Sequence, residues 1–128
     1  MNKLDKESIL GIAALLVHAA NIDGIYSSHE KELICNFIRS YLDDDANLIL
    51  KKAEEIENNS NQLLNYTNII KGNSLEIKKN IIEHLWKVII SDNKVDQYEA
   101  NLMRRICGLI YFPDKMCAEI KLKLLNKK

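Results

Sequence analysis

The sequence predicts an all-α domain of six or seven helices, built from two related helix–loop–helix hairpins, and three observations lead there. Apolar residues recur at helical spacing along almost the whole chain. One proline and four glycines in 128 residues are too few for a many-turned β architecture. A shift of 69 residues brings two segments into register, each reading helix, short loop, helix. The length fits a single domain, residues 1–128, able to bury a core without a disulfide or metal staple. An apolar fraction of 47% with 28% charged residues excludes a disordered chain.

The stripes define the elements in order. Ile9, Ile12, Ala13, Leu16 and Ala20 mark a first helix, and Leu33, Phe37, Ile38 and Tyr41 a second. Asp43, Asp44 and Asp45 open a third helix, whose face is Ala46, Ile49, Leu50, Ala53 and Ile56; acid there complements the helix dipole. The Asn-rich stretch 58–73 reads as a mobile connection, with a weak stripe of Leu63, Tyr66 and Ile70 suggesting a short helix inside it. Ser74 can cap the next helix, which carries Ile81, Ile82, Leu85, Val88 and Ile89. Val95, Tyr98, Leu102, Ile106 and Leu109 form the following stripe, and Met116, Ile120 and Leu124 the last, with Pro113 suited to its first turn.

The internal repeat covers about 9–42 in copy one and about 74–111 in copy two. Ile12 falls on Ile81, Leu16 on Leu85, Asp23 on Asp92, Glu30 on Glu99 and Leu33 on Leu102. Both loops share the pattern D-[GN]-x-apolar-[SD]-x-x-E. Gly24 and Asn93 suit a helix exit with positive φ. Tyr26 and Val95 anchor the loop to the core, and Ser27 with Glu30, like Asp96 with Glu99, has capping-box spacing. Two such hairpins are expected to pack about a pseudo-twofold axis.

The same loops overlap the second half of an EF-hand loop, but Ala19 and Asn21 in copy one, and Val88 and Ile90 in copy two, stand where its first ligands belong. A self-sufficient calcium loop is therefore not expected. Two readings stand side by side. In one, Glu30 and Glu99 bond their own helix N-termini. In the other, Asp23, Glu30, Asp92, Asp96 and Glu99 pool carboxylates around one divalent ion. Acid at a helix C-terminus opposes the dipole, so an aspartate at Asp23 and again at Asp92 asks for an Asx-type turn or a ligand.

The run from Leu85-Trp86 through Ser91-Asp92-Asn93-Lys94-Val95 to Glu99, followed by Leu102-Met103-Arg104-Arg105, resembles the TerB-type (tellurite resistance B-like) helical family. That family's hallmark is an A-D-G-x-[VIL]-x-x-x-E loop, and Asn21 to Glu30 resembles it a second time. A similar cytosolic domain occurs in DnaJ-like membrane co-chaperones. Asn93 replaces the hallmark glycine, Ile22 and Ser91 replace the small residue before the aspartate, and Lys87 stands where acid is common. The resemblance implies a compact bacterial helical domain tied to tellurite and other chemical stress. It further implies metal binding, and docking onto protein partners that are membrane-associated.

No Gly-rich phosphate loop, nucleophile elbow or H-E-x-x-H helix occurs. A non-enzymatic binding or scaffold domain is expected, with divalent-ion binding as the alternative and no required cofactor. A metal-dependent hydrolase would need a general base and an open coordination position, neither of which the sequence presents. Cys35, Cys107 and Cys117 lack disulfide or zinc spacing and read as buried, reduced side chains of a cytoplasmic protein. His18, His29 and His84 read as surface or boundary residues, and Trp86 as core or interface. The apolar run Ile9 to Ala20 imitates a signal peptide, but Asp5 and Glu7 put acid where basic residues belong, and no run is long enough to span a membrane.

Net charge is zero, which excludes a uniformly basic nucleic-acid binder. The zero is nonetheless a sum of opposites. Residues 23–59 hold nine acids and four bases, and residues 103–128 seven bases and two acids. Such a distribution reads either as a solvated surface or as an acidic face for a cation or basic partner with a basic tail, Lys121, Lys123, Lys127 and Lys128, for a lipid or acidic partner.

Overall fold

The computed structural model describes residues 6–21, 26–42, 45–59, 63–90 and 97–126, with the backbone alone for 63–65, 69 and 97–99. Among these residues the fold is seven helices and no strand: α1 (Lys6–Asn21), α2 (Ser28–Tyr41), α3 (Ala46–Asn59), α4 (Leu63–Lys71), α5 (Leu75–Ile90), α6 (Gln97–Leu109) and α7 (Asp114–Asn126). No helix among them is long and apolar enough to cross a membrane.

Two helices form the centre. Ile9, the run Gly11–Val17, Ala19 and Ala20 of α1 are all buried, wider than the single stripe the periodicity predicts. The reason is position: α1 packs against α2, α3, α4 and α5, and a helix covered on all sides is apolar all round. α5 buries Ile77, Lys78, Ile81, Ile82, Leu85, Trp86 and Val88 to Ile90, leaves Lys79 exposed, and packs against α1, α2, α6 and α7. Within the first half α1, α2 and α3 touch pairwise, and within the second α5, α6 and α7 do the same. α4 has no such counterpart and lies against α1 and α6.

The caps follow local chemistry. Asp45 is the residue that starts α3: its carboxylate accepts from the Asn47 N–H at 3.0 Å and its carbonyl from Ile49 at 3.1 Å. Asp43 and Asp44 lie outside the described residues. Ser74 caps α5 by accepting from the Ile77 N–H at 3.3 Å. Pro113 stands one residue before α7, its carbonyl accepting from Cys117 at 3.1 Å, so it is the capping position and not the first helical one. Within the stretch 58–73 the short helix that Leu63, Tyr66 and Ile70 suggest is the nine-residue α4. Asparagine is a poor helix former, but Tyr66, Thr67 and Ile70 are buried, and that packing overrides propensity.

The α6–α7 turn holds one unforeseen feature. Tyr111 has φ of 60°, in the left-handed region. The Phe112 N–H donates to the Cys107 carbonyl at 2.8 Å and the Tyr111 N–H to Gly108 at 3.4 Å. This is a Schellman motif with tyrosine where glycine is usual, and buried Phe112 pins it to the core.

Candidate functional site

The first loop ends in a complete capping box. The Glu30 N–H donates to Ser27 Oγ at 3.1 Å, and the Ser27 N–H donates to Glu30 Oε1 at 2.7 Å. Glu30 is 6% exposed, so its carboxylate is folded into the helix start. Of the other predicted ligands, Asp23, Asp92 and Asp96 lie outside the described residues. Glu99 sits in the first turn of α6 with only its backbone described. Among the described residues no three His, Cys, Asp or Glu side chains gather as a metal site.

The structure builds a polar cluster beside this loop that sequence reasoning missed. Tyr26, three positions after Asp23, donates its hydroxyl to Glu54 Oε2 on α3 at 2.7 Å. One turn further along α3, the buried Glu57 takes two bonds: His18 Nδ1 of α1 at 2.7 Å and the Tyr66 hydroxyl of α4 at 2.9 Å. Burial, then the bonded carboxylate, holds both tyrosines well above the ordinary phenol range. Glu57 therefore joins three helices. His18, expected as an ordinary boundary residue, is its partner, whereas His29 is exposed as expected. His84 is half-buried with its ring edge on Phe37, 5.0 Å between centroids, and burial pulls its pKa below the usual imidazole value. The hint in sequence was an acid at helical spacing among apolar positions of α3, indistinguishable there from a solvated face.

In the second half a groove of about 430 Å³ lies between α5 and α7. Met116, Ile120 and Leu124 supply its apolar lining. Lys79, Lys87 and Lys123, with Glu83 and Glu119, supply the charged lining. Lys87 is bonded to Glu83 at 3.6 Å, an i,i+4 pair along α5. The remaining balance is positive, in keeping with the basic last quarter of the chain. Leu122, on the same helix, is 57% exposed. The α7 stripe named from the sequence thus serves as groove lining as well as core: Ile120 is buried while Met116 and Leu124 are only partly covered.

The family model described as tellurite resistance protein TerB matches residues 10–122. The match runs from α1 through most of α7 and includes both loops. No curated protein and no solved structure matches the chain.

Proposed function

The chain belongs to the TerB family of tellurite resistance proteins, and from that premise we propose that it is a non-enzymatic scaffold domain that acts by docking a protein partner. The observation that carries this reading is the α5–α7 groove, with apolar Met116, Ile120 and Leu124 lined alongside by Lys79, Lys87 and Lys123. A groove of that kind suits an amphipathic helix that lays its apolar face inward and turns acids toward the lysines. The occupant is accordingly an acidic amphipathic helix of a partner protein, membrane-associated in keeping with the family resemblance. Affinity would come from the apolar anchors and on-rate from the charge.

The test uses a fluorescein-labelled, acid-rich amphipathic peptide titrated with the full chain, beside a sequence-matched peptide with lysine for each acid. Binding of the acidic peptide alone is expected, with amide shifts confined to α5 and α7. The double change Lys79→Glu with Lys123→Glu should weaken it at least about tenfold and steepen nothing with salt. Equal binding of both peptides, or shifts centred on α2 and α3, would reject the groove.

Divalent-ion binding at the D-[GN]-x-x-[SD]-x-x-E loops is the second reading. It is favoured by Tyr26, which holds the Glu54 carboxylate next to loop one. Calorimetry with calcium, magnesium, manganese and zinc tests it. Heat that disappears in the double variant Asp23→Ala, Asp92→Ala supports it, and silence from all four ions removes it.

A further inference from the structure

A face of α7 that takes no part in the docking groove lines a second cavity, of about 320 Å³. Asp114, Cys117, Ala118 and Lys121 recur at i, i+3, i+4 and i+7 and form one stripe of α7, whereas the groove uses Met116, Ile120, Lys123 and Leu124. From α6, Ala100, Met103 and Arg104 have the same i, i+3, i+4 spacing and line the cavity as well. Trp86 of α5 completes the lining. Ala100 and Ala118 contribute only methyl groups, which leaves the space between α6 and α7 open.

The floor and the rim differ in chemistry. Met103 is 1%, Trp86 4% and Cys117 6% exposed, so these three form a buried floor. Arg104, Asp114 and Ala118 are exposed and Lys121 partly so, and they form the rim. The Trp86 indole N–H is already donated to Cys117 Sγ at 3.3 Å, so the ring has no donor left for a ligand. The floor therefore offers ring edge, thioether and sulfur, surfaces that favour an aromatic body over a polar one. At the rim, Arg104 and Lys121 bring two cations and Asp114 one carboxylate, a surplus of one positive charge. Lys121 holds its ammonium 5.5 Å from the Trp86 ring centroid, at the edge of the floor. Among the described residues the ion pairs are His18 with Glu57 and Lys87 with Glu83, and neither rim cation is tied to a carboxylate there.

We propose that this cavity binds a small aromatic monocarboxylate, its ring on Trp86 and Met103 and its carboxylate against Arg104 and Lys121. The volume suits such a molecule, at the small end of the roughly 300–1,000 Å³ of ligand pockets. One negative charge on the ligand matches the one surplus positive charge of the rim. The guanidinium of Arg104 presents a planar fork that fits a carboxylate, and Asp114 competes with the ligand for the same cations. A bare phosphate meets the cations and leaves the floor uncovered. A neutral hydrocarbon covers the floor and leaves the cations unmatched.

The experiment titrates the full chain with phenylpropanoate, and in parallel with phenylpropylamine, which has the same body and the opposite charge, and with inorganic phosphate. Trp86 is the only tryptophan in the sequence, so indole emission reports on this cavity. A saturable change is expected with phenylpropanoate, with binding of the amine at least about tenfold weaker and no saturation by phosphate. Amide shifts should centre on Ala100 to Arg104 and Cys117 to Lys121. Arg104→Gln and Lys121→Gln should each weaken the carboxylate about two- to fivefold, as expected for one exposed ion pair, and Asp114→Asn should strengthen it by a similar factor. Arg104 and Asp114 are exposed, so the fold tolerates both changes and their opposite signs decide even if Lys121→Gln unfolds. No saturable change, equal binding of acid and amine, or phosphate binding as tightly as phenylpropanoate would overturn the proposal. So would amide shifts centred on Met116, Ile120 and Leu124, or an affinity that Arg104→Gln and Asp114→Asn leave unchanged.

Discussion

The two halves of the molecule share a plan and differ in what they bury. In each, three consecutive helices pack pairwise, and the first of them, α1 or α5, forms the centre of the domain. Around α1 the bonded polar groups are carboxylate, imidazole and phenol: the buried Glu57 joins the partly buried His18 to the buried Tyr66, and Glu30 closes a capping box. Around α5 the buried Trp86 indole donates to the Cys117 sulfur, Lys78 is buried as well, and a groove of apolar and charged lining lies alongside. The first half therefore uses its polar chemistry to hold helices together. The second buries an indole–sulfur contact and leaves a groove open between α5 and α7. Duplicated topology does not carry duplicated function, because packing constrains shape while leaving the identity of a satisfied polar pair open.

Substitutions at matched kinds of position test that contrast. The largest effect is expected from Glu57→Ala, which strips both His18 and Tyr66 of their buried partner and should cost about 2–3 kcal/mol in urea unfolding. A loss below about 0.5 kcal/mol would mean that the first half does not depend on this network. Ser27→Ala removes the α2 cap and should cost about 1 kcal/mol, with the same amide of Glu30 exchanging faster.

Tyr111→Gly works in the opposite direction. It relieves a left-handed tyrosine but gives up the Lys71 ammonium lying 5.0 Å from its ring centroid, so a net gain of about 0.5 kcal/mol is expected. A destabilised variant would show that the ring contact outweighs the backbone relief.

The smallest effect is a pH dependence. Burial lowers the His84 pKa in the folded chain below its unfolded value of about 6.5. As pH falls below that value the unfolded chain takes up a proton that the folded chain resists, so stability declines from about pH 6.5 downward until the folded pKa is reached. His84→Gln should flatten the slope of the unfolding midpoint between pH 7 and 5. An unchanged slope would place the acid sensitivity elsewhere.

Much of the fold was legible because helical spacing, caps and breakers are local. The stripes of α2, α3 and α5, the Ser27–Glu30 box and the Ser74 cap all follow from residues within a few positions of one another. The family was legible for the same reason, since its hallmark loop is a short run that occurs twice. α4 was only half legible: its stripe is weak, and its order comes from Tyr66 and Ile70 meeting residues far along the chain.

What tertiary structure alone decided is which distant groups meet. His18 and Glu57 are 39 positions apart, and Trp86 and Cys117 31 apart, and no periodicity joins either pair. Side chains on separate helices are brought within 3.5 Å by packing angles and loop lengths that depend on the whole core. The sequence by itself thus determined the helices, their order and the family. The buried carboxylate clasp, the Trp86–Cys117 contact and the groove were decided by how those helices came together.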